Sequence, residues 1–102
     1  MEEVKVLGIQ NECLQIALSG DIDLGNAEAF YQVTLEAYRE NPASITFDCA
    51  SLEFIDSTTL GTFVKIFKTL KADGKTMRLV NTQAKIKKLF VICSLDSIMD
   101  IA

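Results

Sequence analysis

Hydroxyls and carboxylates carry most of the chemical character of this chain. Asp56, Ser57, Thr58 and Thr59 are consecutive, and further aspartates stand at Asp21, Asp23 and Asp48. A serine or threonine hydroxyl becomes a catalytic nucleophile only when a neighbouring base takes its proton. The 102 residues include no histidine, which excludes Ser-His-Asp and Cys-His machinery and any His-containing zinc site. Cys13, Cys49 and Cys93 are odd in number and far apart, with no C-x-x-C pair. They are expected as buried reduced thiols, not as disulfides or metal ligands. No Walker A sequence and no G-x-G-x-x-G occurs, and no cofactor or metal is expected. The net charge of −4 argues against a nucleic-acid surface, and the short Lys85, Lys87, Lys88 cluster reads as a solvated helix face. On its own, an aspartate followed by small hydroxyl residues is a helix N-cap, whose oxygens accept from the unpaired amides of the first turn. A serine at such a place is held at the surface, beside the positive end of the helix dipole.

The elements that would position these residues follow from periodicity. Val4 to Ile9 is a strand, and Leu14, Ile16 and Leu18 alternate in a second. The short polar Gln10-Asn11-Glu12 makes the pair an antiparallel hairpin, and the second strand is expected to end in the polar turn Ser19 to Asp23. A helix from Gly25 or Asn26 to Glu40 turns Ala27, Phe30, Val33 or Thr34, and Ala37 inward, and Asn41-Pro42 ends it. A strand from Ile45 to Cys49 precedes a helix from about Thr58 to Ala72, which Asp73-Gly74 stops. Met77 to Asn81 is a strand, Gln83 to Ile92 a helix with Ile86, Leu89, Phe90 and Cys93 inward, and Ile98 to Ile101 a short last element. Alternation of strand and helix implies right-handed parallel crossovers. The expected architecture is therefore α/β: one domain over residues 1–102, with a mixed, mainly parallel sheet opened by an antiparallel hairpin and covered by three to four helices. Asp21, Asp23, Asp48, Asp56 and Ser57 would then lie after strand ends and converge on one edge, where such sheets bind ligands. No apolar run approaches the roughly 20 residues of a membrane span. The start, Met-Glu-Glu-Val-Lys, is unlike a signal peptide, so a soluble cytoplasmic protein that does not meet a membrane is expected.

The stretch from Ile45 to Gly61, with its core Asp56-Ser57-Thr58-Thr59-Leu60-Gly61, resembles the signature of STAS domains, specifically bacterial anti-sigma factor antagonists. Leu18-Ser19-Gly20-Asp21-Ile22-Asp23 resembles an earlier G-x-(I/L)-D turn of that family, and Met77 to Asn81 its following strand. Thr59 departs from the pattern, which usually has glycine there. It is expected in the first turn of its helix with negative φ, and Thr59→Gly would then cost no more than about 1 kcal/mol.

The resemblance implies a binding module and not an enzyme. Unphosphorylated, the antagonist sequesters an anti-sigma factor, often itself a serine kinase, and so frees a sigma factor for transcription. The kinase phosphorylates the serine after the motif aspartate, here Ser57, with Thr58 as the alternative acceptor, and a serine phosphatase reverses this. Asp21, Asp23, Asp56, Ser57, Thr58, Thr59 and Thr62 are the implied partner-binding residues, on a protein that is a monomer or weak dimer when free. Two other readings stand beside this one. The first is a STAS scaffold subunit of a stressosome-type or lipid-transport complex. The second is a receiver-like phosphoaspartate domain, with Asp21 or Asp23 binding Mg²⁺ and Asp48 accepting phosphate.

Overall fold

In the computed structural model, which describes residues 1–102, the chain opens with β1 (Val4–Gln10), β2 (Cys13–Ile22) and α1 (Ala27–Glu40). There follow β3 (Ile45–Ile55), α2 (Ser57–Ala72), β4 (Met77–Val80), α3 (Ala84–Ile92), a 3-10 turn (Leu95–Ser97) and β5 (Asp100–Ile101). The five strands lie side by side in chain order. β1 is antiparallel to β2, and every later pair is parallel. This is the mixed sheet expected from the sequence, with three helices.

Local chemistry accounts for the connections. Gln10 pairs with Cys13, which leaves Asn11 and Glu12 as a two-residue turn, at φ 54° and 67°. Left-handed angles at both positions are what a tight hairpin between right-twisted strands requires. The two-residue period then sorts the faces. Leu14, Ile45 and Met77 pair in one row and Ile16, Phe47 and Leu79 in the next, and all six are buried. Over them, Phe30 of α1 and Phe63 of α2 make edge-to-face contacts with Phe47 and with each other, and Phe90 of α3 makes one with Phe63, at centroid distances of 5.1 to 5.8 Å. Such pairs add about 0.5–1.5 kcal/mol each beyond area burial. One aromatic cluster thus gathers the three helices on the same face of the sheet. The other face carries Lys5, Gln15, Thr46, Asp48 and Arg78, and none of these is buried. No helix is long and apolar enough to cross a membrane.

Three expectations are corrected. β2 runs on to Ile22, and β3 to Ile55 instead of Cys49, because the two strands stay paired through register shifts at Ala17/Ser19 and Gly20/Asp21. Those irregularities break the alternation, so that the buried Leu52 and Ile55 stand three residues apart. Cys93 is exposed and Cys13 only half-buried, and only Cys49 is a core thiol, its pKa pushed up to about 12 by burial. Leu89 is partly buried at the core margin, leaving Ile86 and Phe90 as the buried face of α3.

Candidate functional site

The site forms where β2 and β3 end together. Ile22 pairs with Ile55, which brings the loop after β2 against the start of α2. Asp56, in extended conformation (φ −117°, ψ −176°), is the N-cap of α2, and Ser57 is its first helical residue. One carboxylate holds the junction. Its Oδ1 accepts from the Thr59 amide at 2.9 Å, and its Oδ2 accepts from the Leu24 amide at 2.9 Å across the chain. The Thr59 hydroxyl has one proton to give, and it lies 2.6 Å from the Ile22 carbonyl oxygen and 2.9 Å from Asp56 Oδ1. The Thr59 amide, with further help from the Thr59 hydroxyl and the Leu24 amide, holds the Asp56 carboxyl below the usual carboxylate range.

The loop after β2 is closed on itself. The Asp23 amide donates to Asn26 Oδ1 at 2.8 Å, the Gly25 amide to Asp23 Oδ1 at 2.9 Å, and Asn26 Nδ2 to the Asp21 carbonyl at 3.0 Å. Side-chain acceptors thus replace the strand ladder where it ends, which fixes the entry into α1. Asp21 is exposed beside the site and Asp23 half-buried within the loop.

Ser57 and Thr58 are both exposed. Thr59 is at 0% exposure and Thr62 at 4%, so neither presents a surface to a partner as the sequence led us to expect. Thr59 instead ties β2 to the cap, with the helical backbone expected of it. Thr62 donates to the Thr58 carbonyl at 3.1 Å. Asp48 is not at this edge. It stands inside β3, where its Oδ1 accepts from the Ala50 amide and from Asn81 Nδ2, both at 3.1 Å. Asp21 pairs with Phe54, six positions further along β3, and at about 3.3 Å per residue roughly 20 Å of strand separates them. A receiver-like acidic site therefore does not form. Nor does any group of three or more cysteine or acidic residues stand ready to hold a metal.

Leu24 is a feature that sequence reasoning missed. It is the most exposed large apolar residue of the chain, at 76%, on a loop whose amides from Asp23 to Ala27 all donate hydrogen bonds. Its one signal is an apolar residue that breaks a run of turn formers and fits no period. Chemically, the arrangement presents a hydroxyl at a helix start with no base beside it, since Asp56 is already committed to amides.

The chain is similar to known proteins over nearly its whole length. Residues 5–102 match the family model described as the STAS domain. The anti-sigma-B factor antagonist of Bacillus subtilis (strain 168) is 33% identical over 94 residues, covering 91% of this chain and 85% of that one. The protein of the same description from Staphylococcus aureus (strain NCTC 8325 / PS 47) is 23% identical over 92 residues, or 90% of this chain and 85% of that one. Among solved structures, TM1081 of Thermotoga maritima superposes with a TM-score of 0.85 at 22% identity, covering 96% of this chain and 82% of that one. The anti-sigma factor antagonist SpoIIAA in its unphosphorylated form gives 0.75 at 19% identity over 97% of this chain and 86% of that one. Its phosphorylated form gives 0.74 at 21% identity over 97% and 90%.

Proposed function

The chain belongs to the STAS domain family, and from that premise we propose that it is an anti-sigma factor antagonist switched by phosphorylation at Ser57. Unphosphorylated, it binds an anti-sigma factor with serine kinase activity and so frees a sigma factor. Phosphorylated, it lets go, until a serine phosphatase restores it in the cytoplasm. The observation that carries this reading is the division of labour at the cap. Asp56 satisfies the Thr59 and Leu24 amides, and the adjacent Ser57 is left exposed at the first helical position. Thr58, exposed one residue on, is the alternative acceptor.

Magnitudes explain why a phosphate there acts as a switch without unfolding the domain. A dianion at a helix start gains about 0.3–1 kcal/mol from the dipole, and about 2 in a partly buried setting. Repulsion from a neighbouring carboxylate is about 1 kcal/mol per unit-charge pair in water at close range. These nearly cancel, and the fold persists. SpoIIAA has been solved in both states, and this chain resembles the two alike, with TM-scores of 0.75 and 0.74, which fits a switch acting through charge. At a partner interface, enclosing an unpaired dianion costs several kcal/mol, and about 4 kcal/mol is a thousandfold in affinity.

The test is incubation with the anti-sigma kinase of the source genome and ATP. One phosphate should enter at Ser57, stable to acid and to hydroxylamine, and affinity for the kinase should fall about a thousandfold. Ser57→Ala should bind as the unmodified protein does and stay bound in ATP. Hydroxylamine-labile label on an aspartate, or phosphorylated protein that still binds tightly, overturns the reading.

A further inference from the structure

The charges of this chain are divided along its length. Residues 57–102 carry eight of the ten basic residues and only three of the fourteen acidic ones. This part of the molecule therefore attracts anions although the whole chain is acidic. Only two ion pairs form, Arg78 with Asp100 at 3.0 Å and Lys85 with Glu53 at 3.7 Å, so most of these cations are unpaired. A groove of about 490 Å³ lies among them, between the last turn of α2 and the 3-10 turn. Its position follows from the sheet. β5 pairs only with Arg78 and Leu79, which leaves the start of β4, at Met77, without a strand on its outer side.

The lining combines two chemistries. Phe67, Met77 and the 48% exposed Ile98 supply apolar surface, and Lys71 and Lys75 supply two ammonium groups. The Lys71 ammonium lies 5.9 Å from the centre of the Phe67 ring, so charge and apolar surface adjoin. Neither lysine has a carboxylate partner. Asp100 is the one carboxylate of the lining, and Arg78 already engages it. Lys71 stands in the last turn of α2, where a cation complements the helix dipole. Lys75 lies beyond that turn and has no such role. Its amide turns back to the Leu70 carbonyl at 2.8 Å, which fixes its backbone beside the groove.

We propose that this groove binds a small monoanionic amphiphile, a carboxylate carried on an apolar body. The carboxylate meets Lys71 and Lys75, and the body covers Phe67, Met77 and Ile98. The groove's volume is within the roughly 300–1,000 Å³ of small-molecule sites. Asp100 selects against a dianion such as phosphate, because a second negative charge finds no further free cation in the lining and is repelled by that carboxylate. Ser57 is fourteen residues of helix from Lys71, roughly 20 Å at about 1.5 Å per residue, so the occupant does not touch the acceptor turn. The proposal is thus separate from the partner-switch reading.

The test is calorimetric titration of the chain with decanoate and with 2-naphthoate, which place the same carboxylate on an acyl chain and on an aromatic ring. At least one should bind once per chain and raise the thermal midpoint, and the tighter of the two identifies the body. Uncharged 1-decanol, and inorganic phosphate with no apolar body, should each bind about tenfold more weakly or worse. The double variant Lys71→Gln with Lys75→Gln should lower affinity about tenfold or more, and Ile98→Ala about fivefold. The controls are Lys87→Gln with Lys88→Gln on α3 and Leu24→Ala at the other end of α2, all exposed and outside the groove, and they should leave affinity unchanged. The inference is overturned if neither carboxylate binds, if 1-decanol or phosphate binds as tightly, or if the double variant at Lys71 and Lys75 matches the wild type. It is likewise overturned if the controls lose as much affinity as the groove variants, because general adsorption then accounts for the binding. No kinase enters this experiment, so its failure leaves the Ser57 switch standing.

Discussion

At the start of α2 the Asp56 carboxylate accepts from the amides of Leu24 and Thr59, while at its end the Asp73 carboxylate accepts the Tyr38 hydroxyl at 2.7 Å. Both bonds reach to the ends of α1, one from the loop that enters it and one from its last turn, so the two helices are fastened at both ends. The kind of donor makes the ends differ. Tyr38 closes its end with a ring that is itself buried, and the Asp73, Gly74 and Lys75 amides turn back onto the Leu70 and Lys71 carbonyls. That end is finished. Asp56 instead binds backbone: the side chain of Leu24, whose amide it accepts from, faces solvent, as does Ser57 next to the cap, while Thr59 turns inward. A carboxylate bonded to amides builds a platform, whereas one bonded to a side chain builds a seal.

The largest effect that would break this comparison lies at Thr59. Thr59→Val keeps the shape and removes the hydroxyl, leaving the buried junction with Ile22 short of a donor, and should cost about 2 kcal/mol in urea unfolding. Thr59→Gly should cost more than the 1 kcal/mol inferred from sequence, since it loses this bond as well as helix propensity. A loss below about 0.5 kcal/mol for Thr59→Val would show that Asp56 alone holds the start.

Tyr38→Phe should cost about 1 kcal/mol and leave kinase affinity and Ser57 phosphorylation unchanged, as befits a seal. Its pH signature is alkaline. Burial first, and then the bond to Asp73, raise the phenol pKa to about 12 from 10.0. The stability it contributes is therefore complete below pH 10 and lost as pH rises towards 12, and Tyr38→Phe should flatten that limb of the midpoint-against-pH curve.

Ser57→Ala, at an exposed first helical position that is not the cap, should change stability by no more than about 0.5 kcal/mol in thermal unfolding. Smallest, and on the acid side, is the titration of Asp56. Its folded pKa lies below the unfolded one, so its contribution is present above an unfolded value near 3.9 and disappears as pH falls through the folded value. Asp56→Asn should remove that part of the acid limb. An acid limb identical in the variant would show that the cap is held by geometry and not by charge.

Much of this was legible in the sequence. The element order, the hairpin, the crossovers and the Asp56-Ser57 turn follow from period, turn residues and capping chemistry. The failures share a cause. Beyond Cys49 and Ser19 the paired strands carry register shifts, the alternation that marks a strand dissolves, and polar residues such as Ser51 and Glu53 read as loop although they lie on an exposed ladder. Asp48 was consequently placed at a strand end that does not exist. Cys93 and Thr59 failed differently. A small residue near a helix end faces inward or outward according to what packs there, which no local pattern records. The family resemblance implied a partner-facing Thr59, and the tertiary bond to Ile22 made it a buried one.

The strand order β1-β2-β3-β4-β5 also bears on how the protein is made. A chain leaving the ribosome at about 5–20 residues per second finds, for each strand as it emerges, that the neighbour it must pair with is already out. Growth of the sheet outward from its first hairpin never waits for a later strand to be inserted between earlier ones. The Leu24–Asp56 bond is a further checkpoint in that sequence, since it closes only after half of the chain has been synthesised. The nascent chain would thus close the Asp56–Ser57 turn before α3 exists, and the last quarter of the chain would complete a core around an edge already in place.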